Sequence, residues 1–232
     1  MPGQDVVIDN STPEFKAYLS LPPSGTGPGL VILQEIFGVN AVMRGLCDQF
    51  AAAGFVTFCP DLFWRIQPGI QITDKSDAEL QQAFKLYGDY DVEAGMGDIA
   101  RSIEALRNRP ECTGKVGAMG YCLGGYLAYL TACRTSADAS VGYYGVGIEN
   151  DIAAARDLAQ PLMLHIAEQD QFVPATAQVQ IHDAFDDRDD IVLHDYAGME
   201  HAFARTGGLH FNAAAAELAN SRTLEFLRQH LA

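Results

Sequence analysis

Short apolar runs alternate along this chain with longer segments of helical period, and this alternation limits its fold more than any other feature. The runs are continuous instead of alternating with polar residues, which is typical of strands buried on both faces of a sheet. Strands separated by helices favour right-handed crossovers, and these build a parallel sheet with helices on both faces. The fold class is therefore predicted to be α/β with a mostly parallel sheet. The runs are Leu30–Leu33, Val56–Cys59, Val116–Met119, Ser140–Tyr143, Leu162–Ile166 and Ile191–Tyr196.

The segments of helical period fill the gaps between these runs, and no Pro/Ser-rich linker interrupts them. One α/β domain spanning residues 1–232 is therefore predicted, and it begins with an N-terminal hairpin of Val6–Ile8 and Phe15–Ser20. The predicted helices are Ala41–Ala53, Asp77–Leu106, Leu123–Cys133, Thr176–Phe185 and Asn212–Leu231.

The charge balance is strongly acidic, with 30 Asp and Glu against 15 Lys and Arg and a net charge of −15. Nucleic acids and anionic membrane surfaces both require a positive footprint, so neither is expected as a partner. Residues 1–20 lack a basic segment followed by an apolar one, and no apolar run approaches the ~20 residues of a membrane helix. We therefore expect a cytoplasmic protein without a signal peptide.

Cys122 is the candidate nucleophile. It lies at the centre of Gly120-Tyr121-Cys122-Leu123-Gly124, between a predicted strand and a predicted helix, which is the nucleophile-elbow pattern with Cys in place of Ser. The helix N-terminus would favour the thiolate. The five cysteines are odd in number and show no CxxC spacing, so neither a disulfide framework nor a zinc site is expected. The other four have no glycine frame and are expected to be structural thiols. They are Cys47, Cys59, Cys112 and Cys133.

Two further candidates follow later strands. Asp170 lies in the loop after Leu162–Ile166, and His201 lies in the loop after Ile191–Tyr196. The order nucleophile, acid, histidine is that of α/β-hydrolases, in which the acid orients the imidazole. Glu168 is a close rival for the role of the acid. Of the six histidines, only His201 lies in a loop after a strand with glycine nearby.

The loop after the first run is the expected source of an oxyanion-hole donor. In this fold a backbone N–H from that loop acts together with the N–H that follows the nucleophile, which nominates Ile36 and Leu123. Glu35 stands in the same loop among apolar residues. If it were buried near Cys122, it would influence the proton of the thiol; the alternative is a solvated carboxylate on a surface loop.

These residues resemble the dienelactone hydrolase (carboxymethylenebutenolidase) family, an α/β-hydrolase fold, over nearly the whole chain. The segments that carry the resemblance are Gln34–Asn40, Cys59–Leu62, Gly120–Gly125, Val141–Gly145 and His201–Phe203. The resemblance implies a cofactor-free monomer that opens an unsaturated lactone bearing a carboxylate, in the degradation of catechols or chlorocatechols. It implies no metal.

The resemblance also implies residue roles. Cys122, His201 and Asp170 match the family's triad, and Glu35 matches a glutamate that takes the thiol proton when substrate arrives. Arg205 matches an arginine that binds the substrate carboxylate. Tyr143 and Tyr144 match aromatic positions near the pocket.

One position departs from the family's pattern. Leu80 stands where members that process dienelactone well have a second carboxylate-binding arginine, and Arg65 and Lys85 are the substitutes the sequence offers. Another lactone or a small ester is therefore the alternative substrate. A non-catalytic small-molecule receptor on the same fold and a thiol redox protein are alternatives of other classes.

Overall fold

The computed structural model describes residues 3–158 and 160–232 as two compact units, which divide between Gly117 and Ala118. Both contain β-strands and α-helices, and most of the strand pairs are parallel. The predicted α/β class with a mostly parallel sheet is therefore confirmed. The single domain over residues 1–232 stays a prediction. Within the described residues, no helix is both long and apolar enough to cross a membrane.

The first unit begins with the predicted hairpin, whose two strands are antiparallel. Its strands lie in the order β1-β2-β4-β3, with β2 antiparallel and β3 parallel to β4. Helices α1 and α3 pack against these strands. The elements are β1 (Gln4–Asp9), β2 (Thr12–Ser20), β3 (Gly27–Leu33), α1 (Ala41–Ala52), β4 (Val56–Pro60), α2 (Asp77–Asp89) and α3 (Val92–Arg107).

The second unit carries four parallel strands in the order β5-β6-β7-β8, and β5 enters it from the first unit. Because parallel strands end at the same edge of a sheet, the loops after these four strands gather at one edge. The elements are β5 (Cys112–Tyr121), α4 (Leu123–Arg134), β6 (Ser140–Tyr143), β7 (Leu162–Ala167), α5 (Ala175–Phe185), β8 (Ile191–Tyr196) and α6 (Ala213–Leu231), with 3₁₀ turns at Ile148–Asn150 and Ile152–Asp157.

The single helix predicted over Asp77–Leu106 is wrong, because the structure divides it into α2 and α3. Tyr90 interrupts the helix in an extended conformation with ψ of 121°. Its ring packs edge-on against Phe63, with centroids 5.8 Å apart. Its hydroxyl occupies the space that a side chain at Gly95 would need. Asp91 then begins α3 by accepting a hydrogen bond from the Ala94 N–H.

Most of the helices begin at a residue whose side chain accepts a hydrogen bond from the first turn. Asn40, Ser76, Asp91 and Asn212 serve in this way for α1, α2, α3 and α6. At the start of α4 the corresponding residue is Cys122, and its side chain makes no such bond. Its thiol is thus not used to cap the helix.

Candidate active site

Cys122 occupies a sharp turn between β5 and α4. Its φ of 55° and ψ of −115° lie in a region that residues other than glycine rarely adopt. Two sets of backbone hydrogen bonds hold it there. The Cys122 N–H donates to the Tyr143 carbonyl at 3.0 Å, and the Cys122 carbonyl accepts from the Gly125 N–H at 3.0 Å. The surrounding backbone therefore fixes the conformation in which the thiol is presented.

The glycines around Cys122 are required by close backbone approaches. A Cβ at Gly120 would collide with the backbone of Gly124 at the start of α4. A Cβ at Gly125 would collide with the Tyr143 carbonyl at the end of β6. Gly120, in the frame that predicted the elbow, therefore allows β5 and α4 to approach each other, and Gly125 allows α4 to approach β6.

Asp170 and His201 are brought together by the loops after β7 and β8. The distance between His201 Nδ1 and Asp170 Oδ2 is 2.7 Å, and the Asp170 side chain is only 1% exposed. The other carboxylate oxygen of Asp170 accepts a hydrogen bond from the Phe172 N–H at 2.8 Å. Glu168 makes a different contact, because its carboxylate accepts from the Gly198 N–H at 2.7 Å. Of the two rival acids, Asp170 is the one that reaches the imidazole.

The electrostatic environment of His201 favours its protonated form. Burial by itself lowers the pKa of His201, but the hydrogen bonds and charges of Asp170 and Cys122 outweigh burial and raise the pKa to about 10. His201 therefore interacts with both the candidate acid and the candidate nucleophile. Because Nδ1 faces Asp170, Nε2 is the nitrogen available to the sulfur.

Two aromatic rings flank the imidazole of His201. The ring of Tyr144, predicted to lie near the pocket, meets it in a T-shaped arrangement with centroids 5.0 Å apart. The ring of Phe172 does the same at 4.8 Å, and this residue is 41% exposed. Phe172 was not among the residues predicted from the sequence. Its position two residues after Asp170 was the available signal.

Tyr143 is placed differently from the predicted substrate contact. Its side chain is fully buried, and its hydroxyl donates to Asn220 Oδ1 at 3.0 Å and lies 2.6 Å from Thr223 Oγ1 on α6. Its backbone carbonyl, by contrast, holds Cys122. This placement favours a role in the framework of the site.

Arg205 and Leu123, the remaining predicted residues of the second unit, lie beside the elements that carry the triad candidates. Arg205 is half-buried in the turn after His201, and its N–H donates to the Ala202 carbonyl at 2.9 Å. Gly208 lies against its guanidinium, since a Cβ there would be 2.8 Å from Arg205 Nε. Leu123 is the first residue of α4, where N–H groups have no helical partner.

Glu35 and Ile36 follow β3 in the first unit, and both are buried. Glu35 is only 3% exposed, which excludes a solvated carboxylate on a surface loop. The preceding Gln34 fixes this loop, because its side-chain oxygen accepts a hydrogen bond from the Leu62 N–H at 3.1 Å. The Glu35 carboxylate is therefore surrounded by protein and not by solvent.

The residues considered for the second carboxylate contact are also in the first unit. Leu80 is half-buried on α2. Arg65 bonds Asp98 through Nε at 3.0 Å and Nη2 at 2.8 Å, and Lys85 pairs with Asp89. Both cations are thus engaged by carboxylates of the protein.

Within the described part of the chain, no group of three or more His, Cys, Asp or Glu residues is arranged to hold a metal ion.

The chain is similar to known proteins over almost its whole length. The model of the dienelactone hydrolase family matches residues 15–231. A putative carboxymethylenebutenolidase of Azospirillum brasilense is 46% identical over 228 residues, with 94% of each chain covered. A carboxymethylenebutenolidase of Pseudomonas putida is 41% identical over 213 residues, which cover 92% of this chain and 90% of the relative.

Solved structures show the same fold. A putative dienelactone hydrolase from Klebsiella pneumoniae subsp. pneumoniae MGH 78578 superimposes with a TM-score of 0.84 at 22% identity, covering 98% of both chains. The dienelactone hydrolase-like promiscuous phosphotriesterase P91 from metagenomic libraries superimposes with a TM-score of 0.77 at 21% identity, covering 94% of this chain and 93% of its own. The family match over residues 15–231 and the relatives at 41–46% identity show that the chain belongs to the dienelactone hydrolase family and is a hydrolase that acts on ester or lactone bonds.

Proposed function

We propose that this hydrolase opens the ring of dienelactone (4-carboxymethylenebut-2-en-4-olide) through a covalent thioester on Cys122. The observation that carries the proposal is the interaction of His201 with both Asp170 and Cys122, at the strained turn between β5 and α4. A thiolate is the nucleophilic form of cysteine, and a protonated imidazole beside it stabilises that form.

The first half of the reaction forms the acyl-enzyme. The Cys122 sulfur attacks the lactone carbonyl carbon, and the resulting oxyanion accepts hydrogen bonds from the Leu123 N–H at the start of α4 and, as the sequence predicts, from the Ile36 N–H. The tetrahedral intermediate collapses with cleavage of the ring C–O bond. His201 gives its Nε2 proton to the departing oxygen, so the ring opens without release of a fragment.

The second half releases the product. His201, now neutral, takes a proton from a water molecule that attacks the thioester carbon. The C–S bond breaks, the carboxylic acid leaves, and the thiolate–imidazolium pair is restored. Asp170 keeps Nδ1 protonated throughout and stabilises the imidazolium, because its carboxylate lies 2.7 Å from that nitrogen.

The substrate class is supported by two features. The relatives that match with 41–46% identity are named as carboxymethylenebutenolidases. Arg205, in the turn after His201, is a guanidinium suited to a substrate carboxylate. Leu80 favours a second candidate, a less anionic lactone or small ester hydrolysed by the same residues, since leucine provides no contact for a carboxylate.

The test is hydrolysis of cis- and trans-dienelactone by the purified protein, with intact-mass detection of the thioester. We expect Cys122→Ala to reduce kcat by many powers of ten, because it removes the covalent nucleophile. The buried thiols of α1 and α4 provide controls, and Cys47→Ala and Cys133→Ala should leave kcat near that of the wild type. If Cys122→Ala retained more than about a tenth of the activity, the nucleophile would have to lie elsewhere.

Glu35 is proposed as the group that takes the thiol proton when substrate arrives, which creates the thiolate beside the protonated His201, and that returns this proton to the sulfur when the product leaves. Its burial supports a role beyond that of a surface charge. Glu35→Gln should lower kcat strongly and shift the pH dependence of iodoacetamide labelling at Cys122. If neither changed, Glu35 would be only a structural carboxylate.

A further inference from the structure

A chain of buried hydrogen bonds runs behind the candidate site and connects β6, β7 and β8 to α6. His165 on β7 stands at its centre and is 1% exposed. Its Nδ1 lies 2.8 Å from the Tyr196 hydroxyl, and its Nε2 lies 2.9 Å from Thr223 Oγ1. Thr223 in turn contacts the Tyr143 hydroxyl at 2.6 Å. None of these side chains has a part in the proposed chemistry.

The groups at the two ends of this series of hydrogen bonds, Asn220 and Arg222, determine which group donates in each bond. The Asn220 side-chain oxygen can only accept, so Tyr143 donates to it, and Thr223 must then donate to Tyr143. At the other end, Arg222 can only donate, so the Tyr196 hydroxyl accepts from it at 3.3 Å.

The directions of these hydrogen bonds determine which ring nitrogen of His165 carries the proton. Because the single proton of Thr223 goes to Tyr143, the His165 ring must donate from Nε2 and accept at Nδ1 from Tyr196. The ring is neutral, since burial holds the pKa of His165 well below its usual value. Each of the five hydrogen bonds in the series thereby has one donor and one acceptor.

The backbones of β6 and β7 also hold the candidate nucleophile Cys122 and the Tyr144 ring that lies beside His201. The Tyr143 carbonyl accepts the Cys122 N–H at 3.0 Å, and the His165 carbonyl accepts the Tyr144 N–H at 2.8 Å. Tyr144 has a φ of 38° and presents its ring to His201. The side chains of Tyr143 and His165, which are cross-strand neighbours, both bond Thr223.

We infer that Thr223 is a positioning residue: its hydroxyl holds the Tyr143 and His165 side chains in one arrangement, and the backbone of those two residues sets the position of Cys122 and of Tyr144 against His201. The inference rests on the proposed role of Cys122. It goes beyond that role by assigning a residue on the C-terminal helix to the geometry of the elbow.

Thr223→Val tests this inference because it keeps the shape of the side chain and removes its hydroxyl. We expect kcat to fall by about 10-fold with KM within about twofold, since small displacements of reacting groups have effects of this order or larger. The rate of iodoacetamide labelling at Cys122 should change by about threefold or more in the same variant. Thr223→Ser should restore both values.

Two further variants separate positioning from stability. Tyr143→Phe removes the next hydroxyl of the chain and should reproduce the loss of kcat. Thr57→Val is the matched control, because Thr57 is also fully buried and its hydroxyl donates only to backbone carbonyls, those of Ser20 and Cys47. It should lower Tm and leave kcat and the labelling rate unchanged.

The ¹⁵N NMR signals of the His165 ring report on the chain directly. The wild type should show the Nε2–H tautomer, and Thr223→Val should move the proton to Nδ1, where Tyr196 can accept it. If Thr223→Val lowered Tm as Thr57→Val does but left kcat and labelling within twofold of the wild type, Thr223 would be only structural. Labelling and NMR need no substrate, so they decide on positioning even if dienelactone is not turned over and the proposed function fails.

Discussion

Glu168 and Asp170 lie two residues apart in the loop after β7, yet their carboxylates have different partners. Asp170 faces His201 Nδ1 at 2.7 Å, whereas Glu168 accepts a hydrogen bond from the Gly198 N–H at 2.7 Å. The first contact orients an imidazole, and the second ties the loop after β7 to the loop after β8. One loop thus contains a candidate catalytic acid and a structural acid of similar chemistry.

This pair provides a matched test of the acid. Asp170→Asn should reduce kcat on the order of 10³-fold, because an amide neither stabilises the imidazolium nor holds the required tautomer. Glu168→Gln should stay within about threefold of the wild type, since its amide oxygen still accepts the Gly198 N–H. Steady-state kinetics of the two variants decide between the acids, and a larger loss in Glu168→Gln would reverse the assignment.

The raised pKa of His201 predicts how stability depends on pH. Between its unfolded value near 6.5 and its folded value of about 10, the folded protein keeps a proton that the unfolded chain has released. The stabilisation from His201 is thus complete below pH 6.5 and is lost as the pH rises toward 10. Urea unfolding at several pH values should show a shallower decline in the free energy of unfolding for His201→Gln than for the wild type. Equal slopes would show that the pKa of His201 is not raised.

Arg205 should discriminate between anionic and neutral substrates. A charge-assisted contact to a carboxylate is worth roughly 1.5–3 kcal/mol, so Arg205→Ala should lower kcat/KM for dienelactone by about 10- to 150-fold. A neutral ester of similar size should lose much less, because it has no charge left unpaired. Matched kinetics on the two substrates provide the measurement. Equal losses would mean that Arg205 supports the turn after His201 instead of binding the substrate.

Two Gly→Ala changes, one in the glycine frame and one in α3, should have opposite effects on the free energy of unfolding. Gly120→Ala should destabilise the protein by roughly 3 kcal/mol or prevent folding, because its Cβ would collide with the backbone of Gly124. Gly97→Ala in α3 should stabilise it by about 0.5–1 kcal/mol, since Gly97 is exposed and nothing surrounds its Cβ position. Denaturant unfolding of both variants checks the pair. A tolerated Gly120→Ala would contradict the close approach at the elbow.

The apolar runs predicted strand positions well because burial on both faces leaves a direct trace in the sequence. They failed where polar residues extend a strand: β5 begins at Cys112, four residues before the predicted run Val116–Met119, and its first four residues are partly or fully exposed. The break between α2 and α3 was missed for a different reason. It depends on the packing of Tyr90 against Phe63 and Gly95, which no local pattern records.

The candidate site was predictable where one loop or turn contains the signal. The glycine frame marked Cys122, and the loops after β7 and β8 marked Asp170 and His201. The choice between Asp170 and Glu168 required coordinates, because both acids stand in the same loop. Tyr143 shows the opposite limit: a motif gives its position near the elbow, but only the fold shows that its hydroxyl turns to α6.

The φ of 55° at Cys122 determines how substitution at this position would affect stability. A residue other than glycine held in such a conformation costs of order 1–3 kcal/mol, and glycine would adopt it with little strain. Stability alone therefore favours glycine at position 122, at the point where the proposed chemistry needs sulfur. A Cys122→Gly variant should be inactive yet unfold at a higher denaturant concentration than the wild type. The thiol is thus retained against the conformational preference of its own turn, and mutational drift could silence the enzyme while making the fold more robust.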